Sequence, residues 1–176
     1  MKKLKSIISD SIQVKQAILE DSNIIDTICI LNGLLVDTFK KGNKLLLCGN
    51  GGSASDAQHI AGEFSGRFKL DRAPLFAEAL HSNSAALTSI ANDYGYDQAF
   101  ARLLESKAKA GDVLIGFSTS GNSENVIQAL KKAKEIGVHT IGFTGANGNK
   151  MEELCDHIIK VPVSYTHLTL PTTPYV

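Results

Sequence analysis

Two short stretches of this chain hold more hydrogen-bond donors than a turn needs. A histidine and a carboxylate lie one helical turn beyond the first. Gly49-Asn50-Gly51-Gly52-Ser53 follows the apolar run Leu45 to Cys48 and precedes a segment of helical period. Strand, glycine turn and helix start together make a concave nest of backbone N–H groups at the positive end of a helix dipole, suited to an anion. On the new helix His59 and Glu63 are four residues apart and share a face. Ser118-Thr119-Ser120-Gly121-Asn122-Ser123 repeats the arrangement after Val113 to Phe117 and offers four hydroxyls at a second helix start. A cap uses one hydroxyl, and hydroxyls also donate to phosphate oxygens without burying a lysine. The surplus favours phosphate.

These residues must be delivered by strands and helices in alternation. Apolar residues from Leu4 to Ile18 recur at helical spacing and predict an amphipathic helix over residues 2–20. Asp21 to Asn23 can cap a second helix ending near Lys41, with Gly42 as its C′ residue. That helix is apolar on more than one face, which fits either a subunit interface or packing on the chain's own sheet. Further along, the expected helices run from 53 to about 68, 82 to 91, 97 to 110, 124 to 136 and 150 to 155. The expected strands cover 45–48, 75–80, 113–117, 138–143 and 157–161. Alternation at this spacing implies right-handed βαβ units. The fold class is therefore α/β: a three-layer αβα sandwich with a parallel, doubly wound, flavodoxin-like sheet, preceded by two N-terminal helices. Ligands of such sheets bind beyond the carboxyl ends of the strands, where both donor stretches fall.

The totals narrow the partners. At 176 residues, with 18 basic against 18 acidic side chains, the chain is expected to be one domain with no electrostatic case for nucleic acid or an anionic membrane. No uninterrupted apolar run reaches the ~18 residues of a membrane span. Cys29, Cys48 and Cys155 lack ligand spacing and lie in apolar segments, so reduced core thiols and a cytoplasmic location are expected. The domain is taken as residues 1–163, with the helices at 2–41 and the α/β core at 44–163. Residues 164–176 have no charge, two prolines and no periodicity, and are expected to be foreign to the domain.

Gly49-x-Gly51-x-x-Ala54 formally fits the loose dinucleotide fingerprint, but the only acid near the next strand end is Glu78, farther off than a ribose ligand should be. No Gly-Lys-Ser/Thr follows the glycines, which excludes a Walker loop. His59 and Glu63 alone would leave zinc short of its three or four protein ligands.

Three motifs in order, 49–67 (GNGGSASDAQHIAGEFSGR), 91–96 (ANDYGY) and 118–126 (STSGNSENV), resemble the sugar isomerase (SIS) domain family and, within it, the phosphoheptose isomerases. The resemblance spans the N-terminal helices to about Val163. It implies a cytoplasmic homotetramer that converts sedoheptulose 7-phosphate to D-glycero-D-manno-heptose 7-phosphate through an enediol, for ADP-heptose and lipopolysaccharide core synthesis. Carried over by motif, Ser53, Ser118, Thr119, Ser120 and Ser123 hold the phosphate, and Asn50, Gly51, Gly52, Asn92 and Asp93 line the sugar with Arg67 nearby. Glu63 becomes a catalytic acid/base that also contacts substrate, while His59 and Glu63 are zinc ligands in members that bind the metal. The family continues into a C-terminal helix whose Gln and His complete the zinc set and supply a second acid/base. Here the uncharged tail stands in its place, and His167 does not fit that motif. The 176-residue chain is accordingly expected to isomerise poorly and bind zinc weakly. The alternative is a non-catalytic SIS module that senses sugar phosphates or associates with a replication initiator. The isomerase reading requires Ser53 and Ser120 to face one hollow with Glu63 beside it.

Overall fold

A computed structural model describes residues 2–163; the expectations for 164–176 lie outside the described residues. Five strands form one parallel sheet: β1 (Leu45–Gly49), β2 (Ala77–Ala79), β3 (Val113–Ser118), β4 (His139–Thr144) and β5 (His157–Lys160), in the order β2-β1-β3-β4-β5. Chain order reverses between β1 and β3, which places the crevice of this doubly wound sheet above their adjacent carboxyl ends.

Alternation along the buried strands sorts the core into two layers. Leu45, Leu47, Val113, Ile115 and Ile141 face α2 (Ser22–Lys40) and α3 (Gly52–Ser65). Leu46, Cys48 and Leu114 face α4 (Ser84–Tyr94), α5 (Ala99–Lys107) and α6 (Glu124–Ile136), with Met151 of the short α7 (Asn149–Glu152) closing that layer. Both faces are covered, as the continuous apolar strand runs require. The buried carboxylate of Asp112, just before β3, accepts from the Lys44 and Lys109 backbone N–H at 3.1 and 2.8 Å and from Lys44 Nζ at 2.7 Å, tying together the starts of β1 and β3.

Several element ends differ from expectation for local reasons. α3 stops at Ser65 rather than 68, because the Arg72 guanidinium donates to the carbonyls of Glu63 and Phe64 at 3.0 and 2.9 Å and Gly66 turns the chain away. Arg67 therefore lies past the helix. α4 runs on through Asn92, Asp93 and Tyr94, expected as a turn, until Gly95 at φ 85° ends it. β2 shrinks to three residues, and Leu80–Ser82 form a 3₁₀ turn.

Two expectations need correction. Cys29 is exposed on α2, not in the core; Cys48 is buried and Cys155 half-buried, with burial pushing each thiol up to about 12. By length and composition α2 does qualify as a membrane span, since its charges interrupt the apolar run without lowering its average enough. Much of that apolarity is used within the fold. Leu31 is buried, and Ile24, Ile28, Leu34, Leu35 and Phe39 pack on the sheet. Ile25, Ile30 and Val36 remain exposed on α2, as do Leu4, Ile8, Ile12 and Leu19 on α1 (Lys2–Glu20).

Candidate functional site

The first donor stretch is shaped by two glycines. A Cβ on Gly49 would sit 2.8 Å from the Ser53 carbonyl oxygen, so only glycine lets α3 start hard against the end of β1. Gly51 has φ 55° and ψ −120°, a region that only glycine occupies at little cost. In the second stretch the Ser118 hydroxyl lies 2.8 Å from that of Ser123 and 3.4 Å from that of Ser120, so one end of β3 gathers three hydroxyls.

The two helices that begin here differ from α2 and α4 in how their first turns are satisfied. Asp21 caps α2 and Asn83 caps α4 through side-chain oxygens. Neither Gly51 at the start of α3 nor Ser123 at the start of α6 makes a side-chain cap, although Asn125 Oδ1 accepts from the Val126 N–H within the first turn of α6. The Ser120 and Ser118 hydroxyls instead accept from the Asn122 and Ser123 N–H groups just before α6, and the amide ends of α3 and α6 keep the positive side of their helix dipoles for an anion.

Ser53 and His59 from α3, and Ser118 and Thr119 from the end of β3, line one cavity of about 420 Å³. Ile60, Phe117, Phe143 and Val161 form its apolar wall, with Phe117 and Phe143 stacked at 5.2 Å. Ser120 and Ser123 join this group through Ser118. Glu63 is half-buried next to it, its Oε1 3.1 Å from His59 Nε2. Asn92 and Asp93 are instead exposed at the end of α4, where Asn92 Nδ2 donates to Asp93 Oδ1 at 3.0 Å. Arg67 is exposed too, and none of these three lines the cavity. Glu78, the rejected ribose acid, is paired with Lys107.

Sequence reading missed Asp56, which lines the same cavity from α3, and Arg72, Asn125 and Tyr96, which act at a distance. Asp56 was legible, one turn before His59. The donor set for a metal stops short: no group of three His, Cys, Asp or Glu occurs among the described residues. His59 and Glu63 on one helical turn do not by themselves make a zinc site.

His81 braces α3 from the 3₁₀ turn, donating through Nε2 to the Ala54 carbonyl at 3.1 Å, while its Nδ1 is buried without a partner among the described residues. Burial lowers its pKa below 6.5, and the Ala54 carbonyl partly opposes that shift. The neutral ring therefore contributes stability that is full above pH 6.5 and lost as pH falls from there through the lowered folded value, because the unfolded chain takes up the proton first. Thermal melts should fall between pH 7 and 5, and His81→Gln should flatten that dependence.

A parallel sheet with a donor-lined hollow at its switch point defines a class. The chain belongs to the SIS domain family, whose profile matches residues 10–145. Relatives within that family include phosphoheptose isomerases. That of Aneurinibacillus thermoaerophilus is 50% identical over 163 residues, covering 93% of this chain and 82% of the relative. That of Clostridium acetobutylicum is 51% identical over 159 residues, covering 90% and 81%. The solved structure of the Neisseria gonorrhoeae phosphoheptose isomerase superposes with a TM-score of 0.87 at 38% identity, covering 94% of this chain and 87% of that one.

Proposed function

We propose that this chain is an aldose–ketose isomerase acting on sedoheptulose 7-phosphate to give D-glycero-D-manno-heptose 7-phosphate. One observation carries the reading: the hydroxyls after β1 and β3 open into a single cavity with the His59–Glu63 pair at its edge. Ser53, Ser118, Thr119, Ser120 and Ser123 hold the phosphate, together with the amide ends of α3 and α6. The chain of the sugar then runs from the phosphate toward Glu63. Its carboxylate takes a proton from C1 while the carbonyl oxygen at C2 gains one, giving the enediol. Return of a proton to C2 and loss of the O1 proton complete the aldose. Positioned proton transfer of this kind contributes ~10²–10⁴-fold.

Zinc enters as half a ligand set. His59 and Glu63 would supply two donors, so tight zinc binding by residues 2–163 is not expected, and no step depends on it. A cytoplasmic homotetramer serving ADP-heptose and lipopolysaccharide synthesis completes the proposal. The exposed isoleucines and leucines of α1 and α2 support self-association, since apolar stripes of this size on a lone helix pair call for a partner.

Thermal shift tests the reading. Sedoheptulose 7-phosphate should raise the melting temperature, and NAD should not. A shift with NAD alone, or none with the sugar phosphate at millimolar concentration, would reject it.

A further inference from the structure

Asn50, expected at the sugar, also joins a side-chain network behind the turn. Its Nδ2 donates to Asn125 Oδ1 at 2.9 Å, and Asn125 Nδ2 donates back to Asn50 Oδ1 at 2.9 Å. Asn125 is 3% exposed, and its Oδ1 also accepts from the Val126 N–H at 3.0 Å. The Tyr96 hydroxyl donates to Asn50 Oδ1 at 3.0 Å. The three side chains come from three places: the turn after β1, the first turn of α6, and the 3₁₀ turn that follows α4. Among the described residues, no other side-chain hydrogen bond joins 50–53 to 118–125.

We propose that Asn125 and Tyr96 are positioning residues that clamp the glycine turn after β1 against the helix start after β3. The clamp fixes the spacing of two donor sets that grip one phosphate, and in that respect it rests on the sugar-phosphate reading above. The need for it follows from the turn itself. Gly49 is there for close approach and Gly51 for its backbone angle, and with Gly52 they leave an unrestrained loop with wide conformational freedom. A binding constellation tolerates displacements of only ~0.5 Å. A reciprocal amide pair uses both ends of each carboxamide and admits one geometry, so it removes that freedom. Tyr96 occupies the second lone pair of Asn50 Oδ1 and ties in the end of α4 that carries Asn92 and Asp93. Asn50 is the pivot of this clamp: both lone pairs of its Oδ1 are taken, and one Nδ2 proton remains for a ligand.

The experiment compares wild type, Asn125→Ala and Tyr96→Phe in the full chain, by amide hydrogen exchange without ligand and by calorimetric titration with inorganic phosphate and with sedoheptulose 7-phosphate. Tyr96→Phe removes one of several bonds and should weaken both ligands by about 2- to 10-fold. Asn125→Ala removes the pair and should weaken them about 10- to 100-fold. In both variants amides at 50–54 should exchange faster, while those of α5 and β4 keep wild-type rates. Proton exchange at C1 of substrate already bound should stay near wild type, so the loss appears in KM rather than kcat. Unchanged affinity, or faster exchange spread through the whole sheet, would overturn the clamp, the latter marking a merely structural pair. If Asn125→Ala does not fold, Asn125→Ser and Tyr96→Phe carry the same comparison. Failure of wild type to bind either ligand counts against the sugar-phosphate reading alone, and the ligand-free exchange pattern then decides the clamp.

Discussion

Glu63→Gln should lower proton exchange at C1 of sedoheptulose 7-phosphate by ~10²–10⁴-fold, the usual contribution of a positioned base. The substitution keeps the shape and the hydrogen-bonding reach of the side chain, and removes its ability to accept a proton. Glu63 sits in the last turn of α3, held there by Arg72 on its own carbonyl at 3.0 Å and faced by His59 at 3.1 Å. Neither contact involves the hydroxyls after β3, so affinity for inorganic phosphate should stay within a few-fold of wild type. Proton magnetic resonance in heavy water measures the exchange directly and needs only one working base. Exchange that survives Glu63→Gln and disappears in Asp56→Asn would transfer the role to Asp56, which lines the same cavity.

The parts of this site visible in the sequence were those encoded locally. A buried strand run, a glycine break and a helix start within ten residues fixed both donor loops, and the alternation of strands and helices fixed the sheet edge on which they lie. What escaped was set by partners far away in the chain. Nothing around Asn50 announces that its amide is matched by another 75 residues on. The end of α3 was misplaced because Arg72 takes over carbonyls that a longer helix would have satisfied. Asn92 and Asp93 have turn-forming character, yet α4 continues through them until Gly95 supplies the positive φ. Local propensity yields where a later side chain or a glycine satisfies the backbone differently.

Asp112→Ala should destabilise the domain by about 3–5 kcal/mol, the cost of removing one member of a buried ion pair. Asp112 is 0% exposed and its two oxygens serve three donors: the Lys44 ammonium at 2.7 Å and the backbone N–H groups of Lys44 and Lys109 at 3.1 and 2.8 Å. Alanine would leave the Lys44 side chain, only 17% exposed, without its counter-charge, and two N–H groups without acceptors. Lys44 precedes β1 and Asp112 precedes β3, so the loss falls on the two strands whose far ends carry the donor loops. Glu152→Gln provides the contrast. Its pair with Lys160 spans a similar 2.7 Å, but both side chains are 41–50% exposed, and solvent should hold the effect below about 1 kcal/mol. Urea denaturation of the two variants separates burial from distance. Equal midpoints would mean that the carboxylate at the head of β3 adds no more than a surface pair.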